Sequence, residues 1–204
     1  MTRTAGTGPG PEARRAAAAR GAPRYVTIVH SDIVASTDLV AAAGPGYPRL
    51  LARHRRLIAA AVRRLGGRFL SHAGDGTLAV FDEPVAALEA AVEAQRALGD
   101  EPWPSGLAPR VRMGVHAGEV YDLAGEPVGL PVHHGARIMA VAAAGQVVVS
   151  DAVVAAMAAG TGPRLAEAGW HAVRDHRGPM RLHQVVADGL TVVVPRRQHL
   201  SSVA

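Results

Sequence analysis

Two acidic residues stand where the surrounding residue types leave room for chemistry. Asp32 lies in YVTIVHSDIVASTDL, residues 25–39, where a β-branched run gives way to small residues and a helix start at Ser36 or Thr37. Asp75 sits between two glycines in the GDG at 74–76. Each alone has an ordinary reading, because an acid after a strand is commonly an N-cap or turn residue and Asp-Gly is good turn chemistry. As a pair they are two hard oxygen ligands of the kind that hold Mg²⁺ or Mn²⁺, and free amides at Ala35, Ser36 and Thr37 would suit a phosphate. The glycines of a Walker or dinucleotide fingerprint are missing, so this is not an ordinary phosphate loop.

The elements that must bring the two acids together can be read from periodicity. Residues 25–31 form a first strand, and Leu50, Leu51, His54, Leu57, Ile58, Ala61, Val62 and Leu65 recur on one helix face that Gly66-Gly67 ends. RFLSHAGDGTLAVF then reads as a hairpin around Gly74-Asp75-Gly76, and 84–98 as a second helix with Val85, Leu88 and Val92 on one face. RVRMGVHAGEV alternates, with Val111, Met113, Val115 and Ala117 on one side. The order β-α-β-β-α-β predicts an α+β fold with a ferredoxin-like core, an antiparallel sheet with helices on one side. In that unit the end of the first strand and the central hairpin are neighbours, which lets Asp75 face Asp32. A loop at 121–129, a helix from about 131 to 143, the strand QVVVS, a short helix from 151 and strands near 165–174 and 180–186 complete the expectation.

Composition narrows the function classes. A chain of 204 residues with 49% apolar content can bury one full core, so one domain is expected. The net charge of +5 is concentrated at the ends: residues 1–24 hold five Arg against Glu12, residues 188–204 two Arg against Asp188, and the middle 15 Arg against 15 acids. A neutral folded part argues against nucleic acid as a partner. The absence of cysteine excludes disulfides and thiolate metal sites and agrees with the cytoplasm. All 22 basic residues are Arg, a bias of the whole chain. Residues 1–23 lack the apolar core of a signal peptide and are expected to be a disordered arm, 24–187 the domain, and 188–204 a tail. No apolar run reaches membrane-span length, so no membrane is expected.

The blocks TIVHSDIVASTDL, GGRFLSHAGDGTLAVF, RVRMGVHAGEV, VGLPVHHGARIMAVAAAGQVVVS and AGWHAVRDHRGPMRLHQV together resemble the class III adenylate/guanylate cyclase catalytic domain of bacterial type, in the family's order and spacing, from about Tyr25 to Val186. The resemblance implies a homodimer with active sites at its interface. In it the ribose 3′-oxygen of a nucleoside triphosphate, ATP favoured and GTP possible, attacks the α-phosphorus with loss of pyrophosphate. It implies two Mg²⁺ or Mn²⁺ ions per site on Asp32, Asp75 and the backbone carbonyl of Ile33. Arg137 matches the transition-state arginine.

Four positions depart from the family pattern. His133 replaces the Asn expected four residues before Arg137, and Ser71 the base-reading lysine. Glu126 replaces the Asp usual for adenine, and Arg174 a phosphate-contacting lysine. Glu126 keeps an acceptor, Ser71 donates or accepts one hydrogen bond, and Arg174 keeps the charge. The expected activity is therefore cyclic-nucleotide formation, slowed at Ser71 and His133. The alternative is a degenerate domain that binds nucleotide or a partner without significant turnover.

The remaining histidines and arginines have structural readings. His133 and His134 are adjacent on a helix, about 100° apart, and cannot chelate one ion together. His30, His72 and His116 read as packed or hydrogen-bonded residues. Arg53, Arg55, Arg56, Arg63 and Arg64 read as the solvated face of the first long helix, with Arg53 and Arg56 able to line a dimer contact.

Overall fold

The computed structural model describes residues 22–71, 74–174 and 176–193, with Ser71 described in its backbone only. Residues 1–21 of the expected arm, His72, and most of the expected tail lie outside the described residues. Strand β1 (Arg24–Ile33) leads into α1 (Ser36–Ala43), a 3₁₀ turn (Gly44–Gly46) and α2 (Tyr47–Arg64). Strands β2 (Arg68–Ser71) and β3 (Thr77–Phe81) form the hairpin, followed by α3 (Pro84–Asp100) and β4 (Val111–Leu123). Then come β5 (Glu126–Val128), α4 (Leu130–Val141), β6 (Val147–Ser150), α5 (Asp151–Ala156), β7 (Leu165–Ala172) and β8 (Pro179–Val185). Pro48, Pro84 and Pro131 each stand in the first turn of a helix, where a missing N–H costs no hydrogen bond.

The sheet runs β2-β3-β1-β4-β6-β8-β7, with β5 paired to β4. Its first four strands have the expected ferredoxin-like order, β1 lying antiparallel between β3 and β4. One junction is parallel: β6 joins β4 through Met113, Gly114 and Val115.

Helices cover both faces of the sheet, where the sequence predicts one. On the first face Val29, Ile33, Ala79, Phe81, Met113, Val115, Val147 and Val149 meet Ile58 and Val62 of α2 and Leu88 and Ala91 of α3. On the other, Val132 packs on Val26, Ile28, Leu78, Val80 and Val120, while Ile138 packs on Val148 and Leu182, so α4 is the second cover. This is why β1 is buried almost without alternation from Val26 to Ile33. The α4 backbone can come so near because β4 offers glycine beneath it. A Cβ on Gly114 would lie 2.3 Å from the Met139 nitrogen, and one on Gly118 2.6 Å from Cγ of Pro131.

The segment expected as a loop at 121–129 is instead a hairpin arm. Leu123 pairs with Glu126 across Ala124-Gly125, both at positive φ (53° and 90°), as the tightest hairpin turns require. Residues 188–193, placed by sequence in the tail, run against the domain: the Thr191 amide donates to the Gly145 carbonyl (2.9 Å), and the Gln184 side chain bonds both the amide and carbonyl of Val193.

Candidate active site

Asp32 is the penultimate residue of β1, directly opposite Arg112 of β4. Asp75 lies in the turn ahead of β3, whose first residue, Thr77, pairs with Ser31. The two strand ends are fastened there by a buried hydrogen bond of 2.6 Å between the Ser31 and Thr77 hydroxyls. Gly76 approaches the Ser31 carbonyl, 3.6 Å from where its Cβ would stand. Both carboxylates act on one phenol: burial, then Asp75, then Asp32 raise the pKa of Tyr47, which Arg55 partly opposes. The fold thus brings Asp32 and Asp75 to one corner of the sheet.

One feature of this corner suits a divalent cation, and two observations limit how the protein could hold it. Oδ2 of Asp75 is buried and accepts no hydrogen bond among the described residues, so a cation would satisfy it. The Ile33 side chain is committed to the core, leaving only its backbone for any ligand role. Among the described residues no group of three or more His, Cys, Asp or Glu is arranged for a metal.

Asp32 has a basic partner in Arg112. Arg112 donates to its Oδ2 from Nη2 (2.7 Å) and Nε (3.2 Å), and from Nη1 to the carbonyl of Ala140 (3.2 Å). Arg55, expected on a solvated helix face, is half-buried and donates to the Gly74 carbonyl beside Asp75. Arg53 and Arg64 keep surface pairs, with Glu101 and Glu93.

The phosphate-suited loop follows β1. Ala35 holds left-handed backbone (φ 55°, ψ 41°), a conformation costing a non-glycine residue about 1–2 kcal/mol. That conformation turns the chain so that α1 begins at Ser36 without a side-chain cap. The first amides of a helix have no intrahelical acceptor, so those of Ser36 and Thr37 are available to an anion.

A second cluster forms on α4. His133 and Arg137 are one turn apart and so share a helix face; His133 is exposed and Arg137 half-buried. The neighbouring His134 makes edge-on ring contacts with His116 (centroids 5.7 Å apart) and His176 (5.2 Å). His176 lies in the β7–β8 turn with Arg174, so this stack holds the turn beside α4. Burial, then His134, then His176 lower the His116 pKa to about 4; its Nδ1 lies 2.8 Å from the Ser150 hydroxyl. Burial, with His176 and His133, also lowers that of His134.

Ser71 and Glu126 stand on different hairpins. Ser71 ends β2 opposite Thr77, on the hairpin that carries Asp75. Glu126 is exposed on the β4–β5 arm, whose Asp122 pairs with Arg68 (3.5 Å) at the other end of β2.

The site includes residues that sequence reasoning passed over: Arg112, Tyr47, Arg55 and His54. His54 was legible only as one member of the apolar face of α2. It is fully buried, neither ring nitrogen has a hydrogen-bond partner among the described residues, and burial lowers its pKa to about 4 despite Asp75.

No protein-family model matches the chain. A Rhizobium meliloti (strain 1021) protein named "Putative adenylate cyclase 3" is 29% identical over 135 residues, 65% of this chain; the match spans only 23% of that relative. The adenylate/guanylate cyclase/hydrolase structure from Silicibacter pomeroyi is 28% identical with a TM-score of 0.69, over 82% of this chain and 99% of that one. The guanylate cyclase domain of RhGC from Catenaria anguillulae, in complex with GTP, shares the fold at 20% identity, with a TM-score of 0.72 over 80% and 97% of the two chains. In sequence and fold the chain is thus similar to class III adenylate/guanylate cyclase catalytic domains.

Proposed function

We propose that residues 24–187 form a class III nucleotidyl cyclase domain that converts a nucleoside triphosphate, ATP in first place, into a 3′,5′-cyclic nucleotide and pyrophosphate for cyclic-nucleotide signalling in the cytoplasm. The observation that carries this reading is the buried Oδ2 of Asp75, without a hydrogen-bond partner among the described residues, at the strand end next to Asp32. Asp32, Asp75 and the Ile33 carbonyl would hold two Mg²⁺ or Mn²⁺ ions. Bound there, such ions lower the pKa of the ribose 3′-hydroxyl and neutralise charge on the leaving pyrophosphate.

The chain's own residues have distinct tasks in this reading. Amides at Ala35, Ser36 and Thr37 bind phosphate oxygens, and Ala35 keeps its strained conformation to aim them. Arg137 meets charge that develops as the 3′-oxygen bonds to the α-phosphorus and the α–β bridging bond breaks. Arg174 holds the departing phosphates. His133 donates from a ring nitrogen toward the ribose, and Ser71 with Glu126 reads the base edge, Glu126 accepting from the exocyclic amine of adenine.

One observation supports a site shared between two copies: the arm and its surroundings expose Tyr25, Tyr121, Leu123 and Leu130, each more than half accessible, an apolar surface suited to a homodimer contact. Among the described residues no helix is long and apolar enough to cross a membrane.

His133 favours a second reading, nucleotide binding without turnover. Losing one well-placed electrostatic contact in a transition state costs roughly 2.7–4 kcal/mol, or about 10²–10³ in rate. Incubating the protein with Mn²⁺ and each of the four nucleoside triphosphates separates the readings. Cyclic product establishes the first, binding without product the second, and neither overturns both.

A further inference from the structure

Three histidines without a task in the cyclase reading link the β7–β8 turn to α4 and the sheet. His116 is buried on β4, with Nδ1 2.8 Å from the Ser150 hydroxyl at the end of β6. Its ring meets that of His134 on α4 edge-on, with centroids 5.7 Å apart, and His134 meets His176 in the same way at 5.2 Å. A line of ring contacts therefore runs from the interior of the sheet, through the helix, to the turn. The helix comes close enough because its buried Gly135 has no side chain: a Cβ there would stand 2.8 Å from Cδ2 of His30 and 3.7 Å from Cβ of His116. The ionisable neighbours of His134 are His116 from β4, His176 from the turn, and His133 and Arg137 along its own helix. Burial, then His176, then His133 lower its pKa, so the ring is neutral at pH 7 and suits edge-to-face packing.

The turn is anchored on both sides of Arg174. Val173 is buried in the domain, and its carbonyl accepts from the His176 amide (3.1 Å), closing the turn. The Nδ1 of His176 donates to the Gly178 carbonyl (3.0 Å), which fixes the ring that His134 meets. We propose that His134 and His176 are positioning residues that hold Arg174 against the helix carrying His133 and Arg137, so that these contacts of one copy are presented to the nucleotide as a unit. The proposal rests on the reading of Arg137 and Arg174 as transition-state and phosphate contacts. A guanidinium on a long, flexible stem serves a transition state only if its backbone is held at a set distance from the other contacts, and misplacement by about 1 Å costs up to about 10²-fold in rate.

The test is a double-mutant cycle on cyclic-nucleotide production with Mn²⁺. His176→Ala should lower kcat/KM about tenfold, and His176→Phe, which keeps a ring edge for His134, should stay within about threefold of wild type. In an Arg174→Ala background His176→Ala should cost little more, because the group it positions is gone. Independently of turnover, ring-proton nuclear magnetic resonance should show the His134 pKa rising in His176→Phe, which removes the neighbour that lowers it most after burial. Melting curves confirm folding, and His176→Ser takes the place of His176→Ala should that variant not fold.

The outcomes separate this proposal from the reading beneath it. If Arg174→Ala impairs turnover but His176→Ala does not, or if the two losses multiply in full, the proposal for the histidines is overturned and the role of Arg174 stands. An unchanged His134 titration in His176→Phe overturns it as well. If wild type makes no cyclic product, or makes it equally well with Arg174→Ala, the reading beneath fails and the proposal falls with it.

Discussion

Ser31 and Thr77 share a buried hydroxyl–hydroxyl hydrogen bond of 2.6 Å, and through it the strands bearing Asp32 and Asp75 are held in register at the candidate site. Replacing one partner strands the other's hydroxyl in a dry environment, at a cost of about 1–3 kcal/mol, whereas removing both is much less costly. Thr77→Val should therefore destabilise by about 1–3 kcal/mol. The double variant Ser31→Ala/Thr77→Val should cost clearly less than the two single costs added. Urea denaturation of the four proteins in a double-mutant cycle checks this; strictly additive effects would show that the two hydroxyls do not act as a unit.

The two proposed metal acids should differ in the metal-free protein although both are needed for turnover. Asp32→Ala or Asp75→Ala should abolish Mn²⁺-dependent cyclic-nucleotide production. Without metal, Asp75→Ala removes a buried carboxylate oxygen that has no hydrogen bond among the described residues, so its Tm should hold or rise. Asp32→Ala leaves Arg112 without its partner and should lower stability by about 1 kcal/mol, a small value because water still reaches the pair. Calorimetry in chelator alongside product assays reads both, and full activity in either variant ends the cyclase reading.

The difference between these acids shows what the sequence could and could not disclose. Strand, turn and helix start around Asp32 and Asp75 are set by neighbours within a few residues, so the pair and its hairpin were legible. Arg112 lies 80 positions from Asp32, and only the β1–β4 register makes them partners. The alternation of Val111, Met113, Val115 and Ala117 identified one face correctly, but Gly114 and His116 are buried as well because α4 lies on the second face. A helix pattern says which side of α4 is apolar, not which side of the sheet it will cover. The return strand EPV, three residues long with a central proline, carries no period to detect, so the arm holding Glu126 read as a loop. Arg55 looked solvated because helix periodicity says nothing of a loop arriving from another hairpin.

His54 makes stability depend on pH in a direction that can be stated. Its folded pKa, about 4, lies below the ordinary histidine value of 6.5, so the unfolded chain binds the proton more readily. The stability it contributes is complete above pH 6.5 and is lost as pH falls toward 4; His116, also lowered to about 4, adds the same trend. Between pH 7.5 and 5 the loss should be about 2 kcal/mol for each residue. His54→Leu should flatten part of this dependence and raise the Tm at neutral pH, because it replaces with hydrocarbon two buried nitrogens that have no partner among the described residues. Melting curves across this pH range test both claims; an unchanged slope in His54→Leu would refute the assignment to His54.

Base choice should respond to Ser71. If Ser71 and Glu126 read the purine edge, Ser71→Lys restores a cationic donor beside the acid and should raise kcat/KM for ATP relative to GTP, by about tenfold for about 1.4 kcal/mol of added discrimination. Competition between the two nucleotides, read as product ratio, measures it. A neutral or opposite shift would remove these residues from base recognition and direct attention to pyrimidine substrates.

Mixing two inactive chains tests whether the site is shared. On the proposed reading Asp32 and Asp75 serve a site from one copy, while Glu126, His133, Arg137 and Arg174 reach it from the other. Asp75→Ala and Arg137→Ala should each be nearly inactive alone, since every site of each homodimer lacks one component. In a mixed dimer one site receives both wild-type halves and the other receives neither. With equal, freely exchanging chains about half the dimers are mixed, so about a quarter of wild-type activity should return if sites act independently. Cyclic-nucleotide production is measured against mixing ratio above the dimer dissociation constant, with exchange confirmed by pull-down of a tagged chain. A mixture no more active than its parents would place both clusters in the same chain's site or in none, and the roles proposed for His133 and Arg137 would have to be withdrawn.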